Sequence, residues 1–310
     1  MPSLFLAWLL ACGDAPLSIG EAPALAVQTP GRVRLVVTGD TGKGNDTQQQ
    51  VREAMARVCA EKGCDAVVIL GDLLYPLGME APSDPRADTR IATYQQVAPR
   101  VLLAVGNHDY GRGRSRQKVA WLKDWAASTE GVDHPGDAYT VDLGVGSLHV
   151  LDTNRAFHWG ESSQSAWLGR TLPTVDGWRI VAGHHTFRSD GLHGNAGTYE
   201  GWSHVPWLSG RSLARLFDGR LCPDADLYLA GHDHNLQLLH HCGVQLVVSG
   251  AGASARPILD RGNDPVLAEA TPGFAWIELR HEGTGEVHFF DADARPLGAH
   301  PLNRRLRNVP

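Results

Sequence analysis

Five short blocks of the chain place a carboxylate, carboxamide, phenol or imidazole directly after an apolar run and a glycine. They are Gly39-Asp40-Thr41-Gly42, Gly71-Asp72-Leu73-Leu74-Tyr75, Gly106-Asn107-His108-Asp109, Val181-Ala182-Gly183-His184 and Gly231-His232-Asp233-His234-Asn235. This mixture of oxygen and imidazole donors suits borderline to hard ions such as Fe, Zn and Mn. A carboxylate can bridge, so one aspartate could hold two ions about 3.5–4 Å apart, the spacing used in two-metal hydrolysis. Any one block is a weak signal. Five in order are a strong one.

The elements that must position these blocks are legible as strands. Arg34–Thr38, Asp65–Leu70, Val101–Val105, Ser147–Leu151, Trp178–Ala182 and Asp226–Ala230 are short apolar runs, most of them stopped by a glycine. Their near-continuous hydrophobicity is that of strands buried on both faces. Thr47–Lys62 carries Val51, Ala54, Met55 and Val58 at helical spacing and stops at Gly63, which makes the first unit β-α-β. Val244–Ser249, Phe274–Leu279 and Val287–Phe290 read as antiparallel strands of a second sheet. The expectation is one α/β domain over 32–310, with two packed mixed β-sheets and helices outside. In open α/β sheets ligands gather at the carboxyl ends of strands. Asp40, Asp72, Asn107, His184 and His232 are therefore expected along one edge of one sheet.

Taken together, the blocks resemble the calcineurin-like metallophosphoesterases. Tyr75, three residues after Asp72, narrows the resemblance to purple acid phosphatases, and within these to the small tartrate-resistant type, over roughly residues 33–302. The resemblance implies Asp40, Tyr75 and His234 on Fe(III). It implies Asn107, His184 and His232 on a second divalent metal (Fe, Zn or Mn), with Asp72 bridging. It also implies His108 and His193 as acids that hydrogen-bond phosphate and protonate the leaving alkoxide, with His185 as pocket wall. The implied reaction is hydrolysis of phosphate monoesters by a metal-bound hydroxide. A phosphodiesterase or nucleotidase on the same metals, or a non-catalytic metal- or phosphate-binding protein, are the alternatives. Thr41 and Leu73 stand where small relatives commonly carry Trp and Asn. Gly39 to Gly44 lacks the spacing and the Gly-Lys-Ser/Thr ending of a phosphate-binding P-loop.

Composition sets the remaining bounds. The chain has 310 residues, 43% of them hydrophobic and 20% charged, with a net charge of −6. That is an ordinary globular balance, with no broad basic surface for nucleic acid. The 15 histidines are an excess whose placement matters more than their number. Nine of them, including His134 and His149, have no motif support and are expected on the surface or in satisfied contacts. Arg112, Arg114, Arg116 and Lys118 read as a solvated charged face rather than a substrate contact. Residues 1–31, rich in Ala, Pro and Gly, read as leader and linker. Leu9-Leu10-Ala11-Cys12 is similar to a lipoprotein signal, although no Lys or Arg precedes it. The expectation is export, with membrane attachment only through a lipid on Cys12. Cys59, Cys64, Cys222 and Cys242 lack zinc-ribbon spacing and are either paired, as an exported protein allows, or buried thiols. Small phosphorylated molecules, and phosphoproteins, are the expected partners of a monomer.

Overall fold

A computed structural model describes residues 16–111, 115–205 and 208–306. An eight-stranded sheet runs in the spatial order β1 (Ile19–Glu21), β6 (Ala138–Asp142), β7 (Gly146–Val150), β8 (Trp178–Ala182), β9 (Leu227–Ala230), β11 (Val244–Ser249), β10 (Leu236–His241), β12 (Leu267–Glu269). A seven-stranded sheet runs β15 (Pro296–Asn303), β14 (Thr284–Asp291), β13 (Gly273–Arg280), β2 (Arg32–Thr38), β3 (Ala66–Leu70), β4 (Val101–Ala104), β5 (Val132–Asp133). Both are mixed. β2 to β5 pair in parallel, and β13 joins β2 antiparallel.

The two-residue period of a strand explains the layering. Val33, Leu35 and Val37 of β2, with Val68, Leu70, Leu102 and Ala104, enter the core between the sheets, where they meet Leu148, Ile180, Leu229 and Val247. Val36, Val67, Ile69 and Leu103 point the other way, onto Val51, Ala54, Met55 and Val58 of helix α1 (Asp46–Lys62). The eight-stranded sheet turns Val181, Tyr228 and Val248 onto its own helices, through Leu168, Leu213 and Phe217. The result is four layers, α-β-β-α. Asn45 caps α1 by accepting from the Gln48 amide at 3.0 Å, and Gly63 ends it at φ 81°.

Three expectations need correction. The folded domain begins before Arg32. β1 adds to the open edge of β6, Leu25 is buried in the core, and the Gln28 amide donates to Asp65 at 2.7 Å. An edge strand needs few apolar residues, so the Ala- and Pro-rich composition hid it. Residues 1–15, and with them Cys12, lie outside the described residues. Val244–Ser249 does not pair with Phe274–Leu279; it lies in the other sheet, parallel to β9 and antiparallel to β10. Finally, the site-bearing strand ends belong to both sheets. β2, β3 and β4 lie in one and β8 and β9 in the other. Apolar periodicity shows that a strand is buried, not which partner it pairs with.

Both cysteine pairs are disulfides, Cys59–Cys64 and Cys222–Cys242. The first ties the end of α1 to the approach of β3, the second ties the segment before β9 to the β10–β11 turn. No helix among the described residues is long and apolar enough to cross a membrane.

Candidate metal centre

The strand-end aspartates and His232 sit in backbone that L residues avoid: Asp40 at φ 58°, Asp72 at 54° and His232 at 68°. Such conformations cost of order 1–3 kcal/mol each and persist where packing over-determines them. Here they turn each side chain sharply off its strand into the gap between the two sheets' edges. The glycines beside them leave the space. A Cβ on Gly106 would lie 2.2 Å from Asp72 Oδ1, and one on Gly231 would lie 2.7 Å from Asp40 Oδ2.

The side chains fall into two groups. Tyr75 Oη lies 2.8 Å from Asp72 Oδ2, 3.2 Å from Asp40 Oδ1 and 3.2 Å from His234 Nε2. His234 Nε2 is also 3.3 Å from Asp40 Oδ1. In the second group His184 Nε2 lies 3.1 Å from Asn107 Oδ1, 3.1 Å from His232 Nδ1 and 3.6 Å from Asp72 Oδ1. Adjacent ligands of a six-coordinate ion with bonds of about 2.1 Å are about 3 Å apart. Both groups have that spacing, and the two oxygens of Asp72 each face a different one.

Hydrogen bonding supports the fit. His184 Nδ1 is 2.8 Å from the Leu70 carbonyl, which only accepts, so a neutral ring turns a lone pair at Nε2 towards Asn107 Oδ1 and Asp72 Oδ1. Lone pairs converging on one point need a cation. Without one, the ionisable groups share protons among themselves. Burial disfavours the imidazolium, yet Asp72 and Asp40 hold the His184 pKa above its ordinary value. Burial, then Asp40 and Asp72, push the Tyr75 phenol far up. Burial would raise Asp40, but His234 and His184 hold it below the usual carboxylate range. Burial and the surrounding imidazoles push His232 well down, which keeps its ring neutral and able to bind a metal.

His108 and His193 stand at the rim. The His108 ring lies 4.3 Å from that of Tyr75, with Nδ1 2.8 Å from the Pro76 carbonyl and Nε2 3.8 Å from Asp72 Oδ2. The His193 ring stacks on His232 at 4.0 Å, and its Nδ1 is 2.9 Å from Glu200 Oε1. Two cavities flank them. One, of about 410 Å³, is lined by Tyr75, His108, His193 and His234 with Lys43 and Arg256. The other, of about 530 Å³, runs past Asn107 along Phe157, His185, Tyr199 and Trp202.

All nine residues named from the sequence are thus brought together, and His185 lines the second cavity as expected. Several positioning residues were missed. Asp109 accepts from the Leu73, Leu74 and Gly106 amides, which locks the Asp72–Tyr75 loop to the Asn107 loop. Burial and Asp72 push its carboxyl up to about 7. Asp233, between the two site histidines, accepts from Ser189 Oγ and from the His193 and Gly194 amides, and so carries the His193 loop. Both acids lie inside the quoted blocks, and that adjacency was the available signal. Thr153, in the Leu151-Asp152-Thr153 segment that is part of the resemblance, accepts from the His184 and His185 amides, whereas Glu200 lies in no block.

Other histidine and charge readings changed. His149 is buried against Trp167, its Nδ1 has no hydrogen-bond partner, and burial lowers its pKa to about 4. It is neither exposed nor fully satisfied. Arg116 lies over the Trp159 ring and Lys118 donates to the Met79 carbonyl, so these two cations hold local structure. Arg112 and Arg114 lie outside the described residues.

The calcineurin-like phosphoesterase family model matches residues 33–236, two thirds of the chain. The chain belongs to the calcineurin-like phosphoesterases. It is 28% identical to purple acid phosphatase 3 of Arabidopsis thaliana over 86% of this chain and 74% of that protein. It is 25% identical to human tartrate-resistant acid phosphatase type 5 over 92% of this chain and 95% of that protein. Among solved structures, a purple acid phosphatase from yellow lupin seeds superposes with a TM-score of 0.63 at 18% identity, over 90% of this chain and 55% of that one. GAP50, described as the anchor in the inner membrane complex of Plasmodium, gives 0.71 at 17% identity, over 90% of each chain. At these identities the structural likenesses establish the fold, two mixed sheets flanked by helices. The protein is a purple-acid-phosphatase-like metallophosphoesterase, a hydrolase of phosphoric esters in a family that works with a binuclear metal centre.

Proposed function

We propose that this metallophosphoesterase is a binuclear acid phosphatase for phosphate monoesters. Asp40, Tyr75 and His234 would hold Fe(III), Asn107, His184 and His232 a divalent Fe, Zn or Mn ion, and Asp72 would bridge them. Two ions bound there would supply a water of lowered pKa and neutralise phosphoryl charge. The observation that carries this reading is Asp72, whose two oxygens face separate donor groups. The remaining work falls to the chain. His108, held through Nδ1 by the Pro76 carbonyl, keeps Nε2 towards the centre. His193, held by Glu200 and stacked on His232, lines both cavities. Either imidazolium can hydrogen-bond phosphate and hand a proton to the departing alkoxide.

The test combines metal analysis with p-nitrophenyl phosphate hydrolysis at acid pH. Two ions per chain, at least one of them iron, and visible absorption from tyrosinate-to-iron charge transfer are expected. Tyr75→Phe should remove the colour more than the activity. Asp72→Ala should lose both ions, and Asn107→Ala mainly the second. A colourless, iron-free, fully active protein would reject the Tyr75 assignment.

The aromatic wall of the larger cavity favours a second reading, diesters or nucleotides, separable with bis-p-nitrophenyl phosphate and nucleoside monophosphates. An anchoring role like that named for the Plasmodium protein would suit a chain that had lost ligand-type residues, and here all seven positions are filled. The two disulfides favour an oxidising, exported location, and the proposal of a lipid on Cys12 rests on the Leu9-Leu10-Ala11-Cys12 sequence alone. An unprocessed N-terminus in a cytoplasmic fraction, read by mass spectrometry, would sink that part. Phosphorylated small molecules, and phosphoproteins, are the substrates proposed for a monomer.

A further inference from the structure

The 410 Å³ cavity beside Tyr75 and His234 contains two cations that the proposed chemistry does not use. Lys43 reaches it from the loop after Asp40, with Nζ 5.7 Å from the centre of the Tyr75 ring. Its ammonium donates to Ser254 Oγ at 2.6 Å, and the same oxygen lies 2.9 Å from His234 Nδ1. Lys43 is therefore one serine and one imidazole away from the first donor group. Arg256 enters from the loop after β11, fixed by its amide donating to the His234 carbonyl at 2.6 Å. Its side chain is exposed and has no ion-pair partner among the described residues.

Burial, and after it repulsion from Arg256 across the cavity, lower the Lys43 pKa. Asp40 offsets that repulsion only in part. Asp40 faces the donor group, and Asp233 is occupied by Ser189 and two amides. Like charges that face one cavity with no carboxylate paired to either are stabilised by a bound anion. The reacting phosphoryl group would sit on the metals, so this position suits a second anionic group of the same substrate.

Resting on the phosphatase reading above, we propose that Lys43 and Arg256 form a clamp selecting phosphate esters or anhydrides that carry a second anionic group. That group, a phosphoryl or a carboxylate, would lie within two or three bonds of the reacting phosphorus. A guanidinium and an ammonium offer it charge-assisted hydrogen bonds, each lost on truncation.

The experiment compares wild type, Lys43→Gln, Arg256→Gln and Arg256→Lys, all metal-loaded, with metal content measured for each. Turnover arms use pyrophosphate and p-nitrophenyl phosphate. Binding arms use calorimetry with phosphonoacetate, which has the second anion, and methylphosphonate, which lacks it. Arg256→Gln should lower kcat/KM for pyrophosphate about ten-fold more than for p-nitrophenyl phosphate, mostly through KM. It should weaken phosphonoacetate about ten-fold relative to methylphosphonate, and Arg256→Lys should recover part of both losses. Because Lys43 also braces His234 through Ser254, Arg256 is the cleaner variant. An unchanged phosphonoacetate-to-methylphosphonate ratio in Arg256→Gln overturns the clamp, whatever the enzyme hydrolyses. A metal-loaded protein that turns over neither substrate, yet shows the selective loss of phosphonoacetate, overturns the phosphatase reading and keeps the clamp.

Discussion

Without a cation beside it the Tyr75 phenol keeps its proton, because burial and the carboxylates of Asp40 and Asp72 all oppose the phenolate. A metal ion inverts that balance. Loading the proposed Fe(III) should therefore release about one proton more from wild type than from Tyr75→Phe, measured by calorimetry in buffers of different ionisation enthalpy. Equal release would mean that the phenol does not ionise on the metal. His108 and His193 make a different claim, since neither is assigned as a ligand. Removing either should cost about 10²–10⁴-fold on esters with poor leaving groups. The loss should shrink for p-nitrophenyl phosphate, whose leaving group hardly needs a proton. Plots of kcat against leaving-group pKa that match across wild type, His108→Ala and His193→Ala would show that neither delivers it. Loss of metal in His193→Ala would make it a ligand instead.

At the scale of elements, the centre depends on strands that end where the side-chain groups begin. Gly106 has no side chain to bind a metal, yet its Cα packs against Asp72 so closely that a methyl group would overlap Oδ1 at 2.2 Å and the Asp72 amide at 2.5 Å. Gly106→Ala should displace Asp72 and reduce the content of both metals. It should cost only the roughly 1–3 kcal/mol typical of overpacking. Normal metal content with normal melting would show that the strand end yields freely. This geometry also explains what could be read in advance. Glycine followed by a donor, after an apolar run, marked Asp40, Asp72, Asn107, His184 and His232 because a sharp turn at a strand end requires that order. Helix α1 was legible to within a residue because apolar spacing and a glycine stop mark it locally. Sheet membership was not legible, since Val244–Ser249 and Phe274–Leu279 are equally apolar and differ only in distant partners. β1 was invisible because an edge strand held by backbone hydrogen bonds leaves little trace in side-chain pattern. Thr153 meets the His184 and His185 amides from 31 and 32 residues away, and Glu200 meets His193 across a loop of seven; no periodicity announces either contact.

Across the whole molecule, the proposed metals would join two sheets that otherwise meet mainly through apolar packing. Asp40, Asp72, Tyr75 and Asn107 follow strands of the seven-stranded sheet, whereas His184, His232 and His234 follow strands of the eight-stranded one. Between these ends the protein itself supplies cross-links such as the His232 amide on Asp40 Oδ2 at 2.8 Å and His184 Nδ1 against the Leu70 carbonyl. Ions bound only by the folded state stabilise it by about 4 kcal/mol at a thousand-fold excess over Kd. For a chain of this size that corresponds to a melting shift of roughly 6 °C. Chelation should therefore lower Tm by about that amount or more, and Asp72→Ala should abolish the dependence on added metal. Hydrogen exchange separates a link between sheets from simple ligand binding. If the ions join the sheets, chelation should accelerate exchange together at residues 39–42 and 71–75 on one side and 231–235 on the other. Faster exchange confined to one sheet would place the ions within that sheet alone. An unchanged Tm after proven metal loss would mean that the strained strand ends hold their conformation through packing and hydrogen bonds without help from the metals.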